Sequence, residues 1–251
     1  MAAGSPGYDA SYFAQLVEFE NCHFWFRSRN ALIVWAIRRY FPQFQSFLDV
    51  GCGTGFVMAG LMSAFPSAAL TGSEIFSVGL QIAAERVPTA DFVQMDATKI
   101  PYDEAFDVVG AFDVIEHIEA DELVLSQMRQ ALKPGGGLLI TVPQHPWLWS
   151  ASDTYSHHVR RYRAEELATK VRRAGFNILR STSFVSMLLP AMVVSRLRSN
   201  NVKEFDPSRE FKLNGAINKI LGTAMAIERL LIQFGISLPA GGSRLLVAQK
   251  R

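Results

Sequence analysis

The stretch Phe47-Leu48-Asp49-Val50-Gly51-Cys52-Gly53-Thr54-Gly55 joins an apolar run to a carboxylate and three alternating glycines. Such glycines permit positive φ and remove side chains that would hold a ligand away from the backbone. A pyrophosphate cradle needs the order G-x-G-x-x-G. Counted from Gly51 the third position is Phe56, and from Gly53 it is Met58, so that cradle is absent. Asp49, just ahead of the turn, would repel a pyrophosphate but suits a ligand bearing a cationic amino group. Glu74 closes the next apolar run, Leu70-Thr71-Gly72-Ser73-Glu74, where an acid can accept hydrogen bonds from ribose hydroxyls. Asp96-Ala97 follows a third run and is placed for an adenine edge. Any one of these is an ordinary strand-end acid; their ordered occurrence on successive strands is the specific signal.

The elements that must position these residues can be read from periodicity. Up to about Pro42 the pattern is helical and aromatic, with Tyr8, Tyr12, Phe13, Phe19, Phe24, Trp25, Phe26 and Trp35. Strands are expected at 46–50, 69–73, 91–94, 106–112 and 138–142. Helices are expected at 55–65, 78–86 and 120–132. Strands alternating with helices of about ten residues imply βαβ units and a parallel sheet. Beyond Pro143 the alternation slackens into an irregular stretch to Tyr162 that carries His145, Trp147, Trp149, His157 and His158. A helix at 164–174, a strand at 176–184, apolar helical segments at 184–198 and 217–234, and a last strand at 243–249 complete the pattern. The simplest organisation is one domain over 1–251: a helical cap at 1–44, a ligand-binding core at 45–143 and an acceptor-binding half at 144–251.

Bulk properties narrow the class. The 251 residues are 49% hydrophobic and 19% charged with a net charge of +2, which is globular and gives no ground for a nucleic-acid partner. Cys22 and Cys52 make neither a disulfide framework nor a zinc-ligand spacing. With no basic-then-apolar leader ahead of the first helix, the expected location is cytoplasmic.

Taken as a set, Asp49 to Gly55, Glu74, Asp96, Phe106 to His117 and Leu132-Lys133-Pro134-Gly135-Gly136 resemble the ordered motifs of class I S-adenosylmethionine-dependent methyltransferases, above all the ubiquinone-biosynthesis type. The resemblance covers about residues 20 to 145. It implies a doubly wound α/β fold, a seven-stranded, mostly parallel sheet with its last strand antiparallel, and S-adenosylmethionine as methyl donor. It also implies cofactor contacts at Arg27, Asp49, Gly51, Cys52, Gly53, Thr54, Gly55, Glu74, Ile75, Asp96, Ala97, Phe112 and Asp113. Phe112 would cover the cofactor, and Arg27 or Arg29 would pair with its carboxylate. Asp113-x-x-Glu116-His117 is similar to a cluster that holds magnesium in some relatives and no metal in many others; no metal is expected here.

Methyl transfer is an in-line displacement that gains chiefly from positioning, and an oxygen or nitrogen acceptor also benefits from a base with pKa near neutrality. His145 and His158 are the candidate bases, with Asp153 as orienter or alternative base. Equally, His158, Arg160 and Tyr162 could simply pin a loop. The expected substrate is a small, rather apolar molecule methylated at oxygen; the alternatives are a lipid-like or membrane-associated substrate, or a non-catalytic protein that binds the cofactor. The segments around 184–198 and 221–234 are too short or too charged to span a bilayer. They suit core packing, a homodimer contact, an apolar acceptor pocket or peripheral contact with a membrane.

Overall fold

The computed structural model describes residues 10–198 and 212–251; Tyr8 of the aromatic series lies outside them. One seven-stranded sheet has the order β3-β2-β1-β4-β5-β7-β6. Its strands are β1 (Ser46–Val50), β2 (Ala69–Glu74), β3 (Asp91–Gln94), β4 (Phe106–Phe112), β5 (Leu132–Pro143), β6 (Phe176–Phe184) and β7 (Ser243–Lys250). The pairs from β3 through β5 are parallel, whereas β7 runs antiparallel to both β5 and β6. The chain builds outward from β1 in one direction, then restarts at β4 on its other side. The carboxyl ends of β1 and β4 therefore form the crevice in which open α/β sheets bind ligands.

Helices cover both faces. In chain order they are α1 (Ala10–Glu20), α2 (Phe24–Tyr40), α3 (Phe56–Ala64), α4 (Ser77–Arg86), α5 (Asp121–Ala131), α6 (Ala151–Tyr155), α7 (Ala164–Arg173), α8 (Leu189–Arg198) and α9 (Gly215–Gln233). Strand residues alternate between faces, so the sheet divides the apolar interior in two. Phe47, Val108, Leu139 and Leu245 pack with α2 and α3 residues such as Ile33 and Leu61. Leu48, Val109, Ile140 and Leu246 pack with α5 and α7 residues such as Met128 and Leu167.

Two boundaries differ from the expected ones. Strand β5 begins at Leu132 rather than Leu138, because Leu132 already pairs with Phe106 before the register jumps to Gly137 opposite Val108. Gly135, at φ 74°, absorbs the excess chain. The segment expected to be helical from Phe184 starts its helix only at Leu189. The backbone N–H groups of Val185, Ser186 and Met187 all donate to the Glu228 carboxylate, which stops the chain from coiling earlier. Pro190 then sits in the first turn, where its missing N–H costs nothing.

Candidate active site

The glycine turn after β1 is the base of the site. Gly51, Gly53 and Gly55 have φ of 73°, 54° and 73°. A Cβ on Gly55 would meet the backbone of Ala83 at 3.0 Å, so this glycine serves the packing of α4. Among the described residues, a Cβ on Gly53 would touch only the Phe13 ring, at 4.0 Å, so any side chain there would project into the space beneath α1.

Asp49 is buried, and neither carboxylate oxygen has a hydrogen-bond partner among the described residues. Burial raises its pKa to about 8; the nearby Arg29 charge opposes this and the Glu74 charge adds to it. A buried carboxylate without partners is costly unless a cation or donor joins it. Glu74 accepts from the Gly53 N–H at 3.1 Å through one oxygen and from the Ile75 and Phe76 N–H groups at 2.8 and 3.2 Å through the other. Burial raises its pKa while those three backbone donors pull the other way. Asp96 is exposed, its side chain folded onto Thr98 at 2.8 Å, with Ala97 beside it.

Of the two candidate arginines, the structure brings Arg29 to the site and not Arg27. His23 caps α2 by accepting the Trp25 N–H, which requires a neutral ring, and burial lowers its pKa to about 4. From that start Arg29 is turned inward, paired with Asp113 and stacked over Trp25 at 4.4 Å. Arg27 lies two positions away on the helix, exposed, in a groove between α2, α3 and α9. Asp113, at φ 58°, also accepts from the Thr141 hydroxyl at 3.1 Å.

The ring of Phe112 is buried and stacks parallel to Phe47 in the core at 6.5 Å, because its strand parity points it to the α2 and α3 face. The Thr54 hydroxyl is engaged by the Glu20 carboxylate at 2.6 and 2.8 Å, leaving its backbone alone to serve the turn. Cys52 is buried in the core, where burial pushes its thiol pKa up and leaves it unreactive.

The sequence did not single out the residues that fasten α1 over this turn. Glu20, at the end of α1, also accepts from Arg86 of α4 at 2.7 Å, and Arg86 reaches the Thr54 oxygen at 2.8 Å. Phe13 sits above Gly53 and Gly79. Glu20 and Arg86 are too far apart in the chain to leave a local pattern; the aromatic bias of α1 was the one available signal.

A second group of side chains gathers beyond β4 and β5. Asp153 accepts from Arg161 at 2.7 Å and from the Ser150 N–H and hydroxyl at 2.8 Å, and it meets His158 Nδ1 at 2.9 Å. Burial would raise its pKa, but the His158 hydrogen bond and the Arg161 charge prevail and hold it at about 2. Asp153 is thus ionised, with both of its oxygens engaged. His158 packs edge-on against His117 at 4.6 Å. His117, His158 and Glu116 offer ligand atoms within 4.8 Å of one another. Glu116 is fully buried without a hydrogen-bond partner for its carboxylate among the described residues, and burial reinforced by Asp113 raises its pKa well above the usual range. Burial, with the His158 charge, lowers His117 to about 4. His145, at the end of β5, adopts φ 63° and stacks on Trp147 at 5.1 Å. Its Nε2 is buried without a hydrogen-bond partner among the described residues, and burial, then the charges of Arg244, Arg161 and Arg163, lower its pKa. Tyr162 and Arg160 play the plainer role weighed for them: both bind Asp121, at 2.6 Å each, and pin the loop.

A profile of the methyltransferase-domain family matches residues 23–181. The chain belongs to that family. Among individual relatives, the trans-aconitate 2-methyltransferase of Variovorax paradoxus is 33% identical over 105 residues, which are 41% of this chain and 40% of that protein. The malonyl-[acyl-carrier protein] O-methyltransferase of Halalkalibacterium halodurans is 26% identical over 147 residues, 56% of this chain and 52% of that protein. The chain thus matches about half the length of these curated relatives, or less. Phosphoethanolamine N-methyltransferase 2 of Haemonchus contortus, solved in complex with S-adenosyl-L-methionine, superposes with a TM-score of 0.60 at 22% identity, over 88% of this chain and 52% of that one. The [4+2]-cyclase SpnF superposes with a TM-score of 0.57 at 23% identity, over 87% of this chain and 80% of that one. At such identities these structures establish the shared fold alone. In this methyltransferase domain the buried Asp49 carboxylate, the open face of Gly53 and the inward Arg29 fit the ammonium and carboxylate of S-adenosylmethionine, the cofactor of the family.

Proposed function

We propose that the protein transfers a methyl group from S-adenosylmethionine to an oxygen of a small, rather apolar acceptor. The observation that carries this reading is Asp49, a buried carboxylate without a hydrogen-bond partner among the described residues, between the glycine turn, Glu74 and Arg29. Asp49 would hold the cofactor ammonium and Arg29 its carboxylate. Glu74 would hold the ribose hydroxyls, while Asp96 and Ala97 flank the adenine. The bound cofactor supplies a methyl group activated by its sulfonium. The chain's part is to align the acceptor and accept its proton. Asp153, ionised, keeps the proton of His158 on Nδ1, so Nε2 remains the basic nitrogen. His145, at the end of β5, is the alternative base. The acceptor named for the trans-aconitate relative supports a small molecule, and exposed Trp147 and Trp149 beside His145 support an apolar one.

Fold alone does not decide chemistry, as the cyclase of like fold illustrates. Calorimetry should show micromolar binding of S-adenosylmethionine and S-adenosylhomocysteine by the wild type and none by Gly53→Val. Incubation with deuteromethyl cofactor and a metabolite extract should yield a mass-shifted product. Binding of a nicotinamide dinucleotide in place of S-adenosylmethionine, or no labelled product, would overturn the reading.

A second reading rests on the convergence of Glu116, His117 and His158, with Asp153 steadying His158 from behind. That arrangement would suit a divalent cation. On the first reading turnover survives EDTA. Loss on chelation, restored by magnesium or manganese, would establish the second.

A further inference from the structure

We infer that α9 is an interfacial helix that seats the protein on an anionic lipid surface. Its buried side is narrow: Met225, Glu228 and Ile232 fall within an arc of roughly 60° at 3.6 residues per turn. Six more apolar residues, Ile217, Ile220, Ile227, Leu230, Leu231 and Phe234, are exposed and occupy a neighbouring arc of roughly 140°. Ile220 is 67% and Phe234 84% exposed. A helix that only packs on its own domain carries one apolar stripe, facing inward. Here the larger stripe faces out.

The patch continues beyond the helix. Glu228 holds the N–H groups of Val185, Ser186 and Met187, which places exposed Met187 beside the middle of α9. From α8, Arg196 reaches the Leu148 carbonyl at 3.4 Å, next to Trp147, which is 57% exposed. Exposed tryptophans are the residues favoured at a lipid–water boundary.

Charge selects the occupant. Helices α2, α3 and α8 contain no carboxylate, and the sole one of α9 is the buried, engaged Glu228. The other flank of α9 borders a cleft of about 490 Å³ lined by Arg27, Arg38 and Arg229, with Lys219 exposed on the helix itself. A second copy docked helix to helix would bring these cations against one another with no free carboxylate on α2, α3, α8 or α9 to neutralise them. An anionic lipid surface satisfies both features at once, taking the apolar stripe at the acyl boundary and Lys219, at the edge of that stripe, among phosphate headgroups, while the arginine cleft behind the helix adds longer-range attraction. No described helix is long and apolar enough to cross a membrane, so the contact is lateral. This inference stands apart from the methyl-transfer reading and can fail without it.

The test is co-sedimentation of the full chain with phosphatidylglycerol-containing vesicles and with pure phosphatidylcholine vesicles. The expected result is binding to the anionic vesicles alone, weakened by salt. Ile220→Ser and Phe234→Ser should each reduce it by about tenfold or more, while cofactor affinity by calorimetry stays at the wild-type value because both positions are exposed. Arg38→Gln with Arg229→Gln should flatten the salt dependence. Absence of vesicle binding, or binding that persists unchanged in both stripe variants, would overturn the inference. So would a dimer in sedimentation velocity that dissociates in the stripe variants while vesicles are ignored.

Discussion

A carboxylate in an apolar setting prefers its neutral form, and Asp49, lifted to about 8 by burial, is largely protonated at neutral pH before a ligand arrives. A cationic amino group beside it favours the ionised form, so cofactor uptake below that pKa should expel a proton. Affinity for S-adenosylhomocysteine should then rise with pH between about 6 and 7.5, by up to about tenfold per unit, with a binding enthalpy that follows the buffer's ionisation enthalpy. A flat profile would show that Asp49 does not meet the ammonium. Glu74→Ala should weaken cofactor binding by about 1–3 kcal/mol. Unchanged affinity in a folded variant would confine Glu74 to bracing the turn through Gly53, Ile75 and Phe76. Asp49 and Glu74 were legible because strand-end acids at these intervals leave a linear pattern. The choice between Arg27 and Arg29 was not, because residues two apart on a helix face nearly opposite ways and the distant Asp113 decides which turns inward. Nor was the setting of Phe112: it shares strand parity with Gly110, so its ring enters the core, and the chain must pass through the left-handed conformation of Asp113 before a side chain reaches the crevice.

At the scale of elements, the sequence located the strands well because short buried strands between glycine and proline punctuation are distinctive. It located α1 as an aromatic helix but could not show what it rests on. The Glu20–Arg86–Thr54 cluster fastens the end of α1 to α4 and the turn, while Phe13 lies over Gly53. Asn218 of α9 meanwhile accepts the Phe24 N–H and donates to the Cys22 carbonyl at the start of α2. The cover over the cofactor crevice is therefore tied at two points. Phe13→Ala should leave the sheet intact yet raise the cofactor dissociation rate, since the ring shields the crevice without contributing to the main core. Stopped-flow displacement would measure this. A dissociation rate equal to wild type, with cooperative unfolding preserved, would mean that α1 does not close over the ligand.

The whole molecule couples its site to its stability through the sheet. The crevice lies where β1 and β4 meet, between two apolar clusters that share the same strands, so a ligand seated there binds the folded chain and has no site on the unfolded one. Such binding stabilises by RT ln(1 + [L]/Kd), about 2.7 kcal/mol at a hundredfold excess over Kd. For a chain of 251 residues that corresponds to a rise in melting temperature of about 5–10 °C. S-Adenosylhomocysteine at saturating concentration should produce a shift of that size in the wild type. Gly53→Val should show none. It should also melt below the ligand-free wild type, by a strain of about 1–3 kcal/mol, because a β-branched residue is forced to φ 54° even though a Cβ there meets only the edge of Phe13 among the described residues. Gly53→Ala carries left-handed strain with less bulk, so a ligand shift retained in that variant assigns the valine effect on binding to the cofactor's path. Loss of the shift in Gly53→Ala as well would show that the glycine is needed for its backbone conformation rather than for ligand space.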